Sequence, residues 1–342
     1  MRGRKRPFLV VMSELPGHGR GVNGQTLVKF LRTYAGHGAV ACCSAADLLR
    51  GSPMSAETVF LGQPSPVDDR HLARLRSRHL VLFDLSDWHH PLWTDANRAL
   101  LRGASGLYLK AWNDERWDFG VTMGVAPIRR YLKLRLALER DRLRRALGGS
   151  DRPHRHDVLF LGAATMRDPG GDPALAPNQR VDWLLEVTSR GGHLDLWGGL
   201  IGRTMAPWLL ERYGDLSRFT LREKVPFRRY FRALQQSRVA LTPEGNAPWS
   251  YRHYEAIYAR ALIVTSDLRP IRTLVPLPNQ GMVHVEPGQP VLPAIERALA
   301  LRREQPGLLE ENVRFLERYL DRGLYSRRRP ELWERFVAQL PR

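Results

Sequence analysis

The chain is 342 residues long, with 43% hydrophobic and 26% charged residues and a formal net charge of +18. That composition excludes a disordered or fibrous protein and leaves room for two domains, each with its own core. The two cysteines, Cys42 and Cys43, are adjacent, which excludes a disulfide framework and a cysteine-built zinc site, and no stretch is long and apolar enough to span a bilayer.

The positive excess is almost entirely arginine, the only lysines being Lys5, Lys29, Lys110, Lys133 and Lys224. Such a surface attracts nucleotide phosphates, acidic glycans, anionic lipid headgroups or nucleic acid. Pro7–Met12 reads as a buried strand behind a basic tip, its apolar run too short for a leader or an anchor. Gly17–Gly24 is a glycine-rich loop. Gln25–Tyr34 has helical spacing, Ala39–Cys43 reads as a strand, and Ser44 caps a helix to Leu49. Thr58–Leu61 is a strand, Asp68–Arg78 a helix, and His79–Leu85 the strongest strand of this half. Trp93–Arg102 is expected to be helical, Gly106–Lys110 a strand, and Arg129–Leu147 a long amphipathic helix rich in Arg and Leu. This strand–helix rhythm implies a parallel sheet covered on both faces.

The polar stretch Gly148–Asp157 marks the expected boundary between a first domain, 1–150, and a second, 151–330; residues 331–342 form a last helix that packs back on the first domain. The second half restarts the pattern. Strands are expected at Val158–Leu161, Leu194–Trp197, Val239–Leu241, Leu262–Thr265 and Gly281–Val285. Helices are expected at Gln179–Arg190, Pro207–Tyr213, Phe227–Gln236, Tyr251–Ala259, Val291–Arg303, Leu308–Leu320 and Pro330–Leu340. The fold class is α/β: two Rossmann-like domains facing each other across a cleft.

The segment Ser237–Asp267 carries the chemistry. A buried strand leaves the sheet at its carboxyl edge in a polar loop holding Glu244, Gly245 and Asn246, and a helix starts near Ser250. That edge is where open α/β sheets bind ligands, and a helix N-terminus suits phosphate. Gly245 lets the backbone approach a ligand closely. Arg252 stands in the first turn, where a cation opposes the helix dipole unless an anion or carboxylate is near, and Glu255 follows one turn on. The plainer alternative is that Ser250 is only a cap and that Arg252 and Glu255 are a surface i,i+3 pair.

Pro243, Gly245, Asn246, Ser250, Arg252, Glu255 and Ala256 fall in the order of the donor-binding motif of exostosin-like glycosyltransferases, and the preceding YFRALQQSRVAL resembles the helix and strand that lead into it. The chain thus resembles a distant member of that group within the GT-B-fold superfamily, two Rossmann-like domains of which the second holds a nucleotide-sugar donor. Arg260 stands at the usual glycine and Ile263 at the usual proline, so the turn between helix and strand is expected to be built differently. The resemblance implies diphosphate or nucleotide contacts from Arg167, Arg180, Lys224, Val225, Glu244, Gly245, Asn246, Ser250, Arg252 and Glu255. The first domain is expected to hold the acceptor, and Asp87 and His18, each in a segment that follows a buried strand, are the candidates for the base that takes the acceptor proton.

The expected reaction moves a sugar from a nucleotide sugar to the hydroxyl of a glycan or glycolipid, with Arg252 and Glu255 in the catalytic set, no cofactor and no metal. The expected place is the cytoplasm, with contact to the anionic cytoplasmic face of the inner membrane. Two other readings stand beside it: a DNA-modifying glycosyltransferase, whose positive charge would line a nucleic-acid cleft, and a non-catalytic nucleotide- or glycan-binding protein on the same fold. The loose Gly17-x-Gly19-x-Gly21 pattern lacks the following ribose-binding acid of a dinucleotide site, and Asp84-x-x-Asp87 lacks the spacing of a DxD metal triad. No HExxH, phosphate-loop or GxSxG signature with partners supports a metalloprotease, ATPase or hydrolase.

Overall fold

The computed structural model of the chain describes residues 6–12, 22–62, 67–84, 106–110, 154–164, 178–202, 207–221, 223, 225–245, 251–269, 280–320, 330–338 and 340. The chain divides into two compact units. One comprises Met1–Tyr131, Pro270–Leu277 and Tyr319–Arg342, the other Leu132–Arg269 and Pro278–Arg318. The boundary expected at residue 150, and the helices expected at 93–102 and 129–147, lie outside the described residues.

The first unit is built on β1 (Arg6–Met12), β2 (Val40–Ser44), β3 (Met54–Gly62), β4 (Leu75–Arg76), β5 (His79–Asp84) and β6 (Gly106–Lys110), with α1 (Val22–Ala35), α2 (Ala45–Arg50) and α3 (Asp69–Leu72) between them. The sheet is parallel in the order β2-β1-β3-β5-β6, with β4 alongside β3. Leu9, Val10 and Val11 are all buried, as a strand covered on both faces requires. Ser44 starts α2 through a capping box: its Oγ accepts from Asp47 N–H (3.1 Å), and the Asp47 carboxylate accepts from Ser44 N–H (3.2 Å).

The helix expected over 68–78 is cut short. Asp68 caps it, but α3 ends at Leu72 because Arg74 O turns to accept the N–H of Met54 (2.9 Å), and Leu75–Arg76 pair with β3 instead. Strand pairing, a contact between residues far apart in sequence, overrides helical periodicity here.

The last helix, α10 (Pro330–Val337), belongs to this unit. Its Phe336 is fully buried, edge-on to Phe30 at 5.0 Å and stacked near Phe60 at 6.2 Å. Trp333 lies parallel to Tyr34 at 5.8 Å and edge-on to Phe8 at 6.0 Å.

The second unit contains β7 (His156–Gly162), β8 (Leu196–Ile201), β9 (Thr220–Leu221), β10 (Ser237–Thr242), β11 (Leu262–Ser266) and β12 (Met282–Val285). Its helices are α4 (Gln179–Arg190), α5 (Pro207–Tyr213), α6 (Phe227–Gln235), α7 (Tyr251–Ala259), α8 (Leu292–Glu304) and α9 (Leu308–Leu320). The sheet is wholly parallel, ordered β9-β8-β7-β10-β11-β12. Counted from β7 this is the 3-2-1-4-5-6 order of a Rossmann sheet, and the order reverses between β7 and β10. Alternation splits the strands between two layers. Val158, Phe160, Val239, Leu241, Leu262 and Val264 join a core with α4 and α8, while α6 and α7 pack together on the other side, against β10.

Two long-range devices hold this unit's helices. The Glu186 carboxylate accepts from Val291 N–H (2.9 Å) and Leu292 N–H (3.0 Å), capping α8 from the middle of α4. At the end of α7, Arg260 takes φ 62°, the left-handed conformation that glycine favours. Ala261 N–H donates to Ala256 O and Arg260 N–H to Ile257 O, each at 3.0 Å, which closes a Schellman motif. The turn is therefore the one a glycine would make, with arginine carrying the strain, and the expectation of a differently built turn is corrected. Arg260 is held from outside by an ion pair with Glu310. No described helix is long and apolar enough to cross a membrane.

Candidate functional site

In an open parallel sheet, neighbouring strands flanking the point of order reversal send their connections to opposite faces, which leaves a crevice at their carboxyl ends. Here those ends are Gly162–Ala163 after β7 and Thr242–Gly245 after β10. Two arginines from different helices meet there.

Arg180 stands in the first turn of α4. Its Nη1 donates to Ala163 O (2.8 Å), and its guanidinium occupies the space beside Gly245, where a Cβ would come within 2.6 Å of Cζ. The space a Cβ would need at this glycine is thus taken by a guanidinium of the protein itself. Burial first, and then the charge of Arg252, push Arg180 down to about 9; Glu244 works in the opposite direction. Its Nε is buried with no hydrogen-bond partner among the described residues.

Arg252 stands in the first turn of α7 and turns inward. A Cβ on Gly162 would lie 2.7 Å from Nη2, so the strand-ending glycine makes room for this side chain. Burial holds Arg252 below its ordinary value, and Tyr230 and Glu255 pull it back up. Glu255 is 6% exposed and receives the Tyr230 hydroxyl, which burial and then Glu255 push well above the tyrosine range. The pair is therefore no surface i,i+3 bridge. The carboxylate that the helix dipole demanded beside Arg252 is present, and it is buried.

The floor is fixed by hydrogen bonds between strand ends. Thr265 Oγ1 donates to Thr242 O (3.2 Å), so it receives His253 Nε2–H (2.9 Å), which sets the tautomer of that buried histidine. Gln179 Oε1 accepts from Ser266 Oγ (2.7 Å) and from Glu244 N–H (3.2 Å), and Ser266 Oγ also accepts that N–H at 2.6 Å. The first turn of α4 has no side-chain cap of its own. Tyr213 of α5 serves it instead, its hydroxyl accepting Asn178 N–H (3.3 Å) and hydrogen-bonding the Asp182 carboxyl, which burial raises.

Of the residues singled out in the sequence, Arg180, Glu244, Gly245, Arg252 and Glu255 come together at this crevice. Val225 stands before Pro226, the N-cap of α6, and takes no part in the contacts above. His18, Asp87, Arg167, Lys224, Asn246 and Ser250 lie outside the described residues. Sequence reasoning missed Gln179, Tyr230, His253 and Ser266. A glutamine beside Arg180 at an expected helix start and a serine closing an expected strand were the available signals for two of them.

No protein-family model and no curated protein matches the chain. Among solved structures it is similar to a GtfA/B complex, at 13% identity and a TM-score of 0.42 over 86% of this chain and 59% of that one. It therefore spans about 59% of the length of that structure. It is similar to the glycotransferase of kitacinnamycin at 14% identity and a TM-score of 0.34, covering 99% of this chain and 100% of the other. It is likewise similar to CalG4, the calicheamicin glycosyltransferase, at 11% identity and a TM-score of 0.34 over 98% of each chain.

Proposed function

We propose that the crevice between β7 and β10 holds the diphosphate of a nucleotide sugar, and that the protein is a glycosyltransferase of GT-B type acting on the hydroxyl of a glycan or glycolipid. One observation carries the reading: Arg180 and Arg252, from separate helices, are drawn together at the carboxyl ends of β7 and β10, where burial disfavours the charge of each and the charge of Arg252 adds to the cost at Arg180. An anion with several oxygens relieves both costs, and guanidinium forks match phosphate oxygens. The donor motif read in the sequence runs through the same residues, Gly245, Arg252 and Glu255.

In the transfer, the bond from the anomeric carbon to the diphosphate oxygen breaks and its electron pair leaves with the nucleoside diphosphate. The acceptor oxygen forms the new bond, and its proton passes to a base, Asp87 or His18 in this reading. Arg180 and Arg252 stabilise the charge that grows on the leaving group, and Glu255 orients Arg252. Arg167, Lys224, Asn246 and Ser250 complete the donor site. With guanidinium and ammonium groups neutralising the diphosphate, the reading is of a metal-independent enzyme.

A thermal-shift panel of nucleoside diphosphates and nucleotide sugars tests this. The matching donor at about 100 times its Kd adds about 2.7 kcal/mol of stability, and the rise in Tm is expected to vanish in Arg252→Met. A panel in which no nucleotide moves Tm overturns the reading. Salt-sensitive binding of duplex DNA in the same assay would move the acceptor from glycan to nucleic acid.

A further inference from the structure

We infer that Gln179 is a positioning residue for the anion site, acting through Arg180; this rests on the site reading above. Gln179 and Arg180 are consecutive in the first turn of α4, yet they grip opposite sides of the crevice. Gln179 holds the β10 and β11 side, through Glu244 N–H and Ser266 Oγ, and Arg180 holds the β7 side, through Ala163 O. The turn is a clasp across the point where the strand order reverses.

The amide oxygen of Gln179 has two lone pairs, and two protein donors already take them. That oxygen is therefore committed to the fold and acts on a ligand only at second hand. What it fixes is specific. Glu244 N–H is the peptide group immediately before Gly245, and Gly245 is the surface on which the Arg180 guanidinium lies. Without the Gln179 oxygen, Glu244 N–H is held by Ser266 Oγ alone (2.6 Å) and the 243–245 turn loses its hydrogen bond to α4, so the platform under Arg180 and the helix that carries Arg180 lose their common register. A guanidinium misplaced by about 1 Å loses much of a bidentate phosphate contact.

The probe is inorganic pyrophosphate, titrated calorimetrically into the full-length protein at low salt. Gln179→Met, which keeps the side-chain length and removes the acceptor, is expected to weaken binding about tenfold. Ser266→Ala, which removes one donor to the same oxygen and the nearer acceptor of Glu244 N–H but leaves the direct Glu244 N–H to Gln179 bond, is expected to weaken it about threefold and keeps the test open if Gln179→Met folds poorly. In an Arg180→Met background Gln179→Met is expected to have no further effect, a result that general loosening of the fold would not give. Wild-type affinity in both single variants overturns the positioning role and leaves the anion site standing. A full tenfold loss that persists without Arg180 overturns it as well. Failure of the wild-type protein to bind pyrophosphate overturns the anion site itself, and the positioning role with it.

Discussion

The guanidinium of Arg180 rests on Gly245, filling the space in which any other residue would place its Cβ. The colliding group is the end of a flexible side chain, so Gly245→Ala is expected to move Arg180 rather than unfold the protein. Nucleoside diphosphate affinity should fall about tenfold, equivalent to about 1.4 kcal/mol, while the urea midpoint changes little. Titration calorimetry paired with urea unfolding checks both parts; an unchanged affinity would show that Arg180 is not the contact.

Arg260 holds a left-handed φ at the end of α7 and is repaid in part by Glu310. Arg260→Ala keeps the strained backbone and loses the ion pair. Arg260→Gly loses the ion pair but removes the strain. The glycine variant is expected to be the more stable of the two by about 1 kcal/mol in urea unfolding. Equal stabilities would mean that the turn carries no strain.

Phe336 is fully buried between Phe30 and Phe60 in the first unit, although it is among the last residues of the chain. Phe336→Ala is expected to cost about 3–5 kcal/mol. Deletion of α10 should expose the faces of Phe8 and Phe30, raising binding of an apolar dye. A C-terminal truncation that melts like the full chain would contradict this.

Two histidines link stability to pH. Arg302 Nη2 faces His154 Nε2 at 2.6 Å, and because arginine only donates, His154 must accept there and is neutral. Burial first, and then Arg302 and Arg238, lower its pKa. His284 Nδ1 accepts Leu268 N–H (3.2 Å), and burial lowers it too. A histidine whose folded pKa lies below its unfolded value leaves the unfolded chain binding more protons, so stability rises with pH. The contribution is complete above the unfolded value of about 6.5 and is lost as pH falls below it. Unfolding free energies measured from pH 7.5 to pH 5 should therefore decline, and less steeply in His154→Gln. A flat profile in the wild-type protein would refute the assignment.

Much of the architecture was legible in the chain because its signals are local. The helices over Gln179–Arg190, Pro207–Tyr213, Tyr251–Ala259 and Leu308–Leu320 have the boundaries their periodicity and flanking polar residues imply. The motif from Pro243 to Ala256 placed Glu244, Gly245, Arg252 and Glu255 together because they lie on one strand–loop–helix segment. Residues 68–78 were misread because their helical spacing competes with a pairing to Met54–Ser55 that no local pattern reveals.

The sequence by itself determined a basic α/β chain with alternating buried strands and covering helices, and it marked one loop as chemically loaded. The tertiary structure alone decided that strands β7 and β10 lie side by side, with Arg180 facing Gly245, Tyr230 meeting Glu255, and Gln179 reaching Ser266 across 87 residues. The reason is physical. Periodicity and capping are set within a few residues along the chain, whereas the burial that shifts Arg180 and the glycines that admit the two guanidiniums exist only once distant segments share one sheet edge.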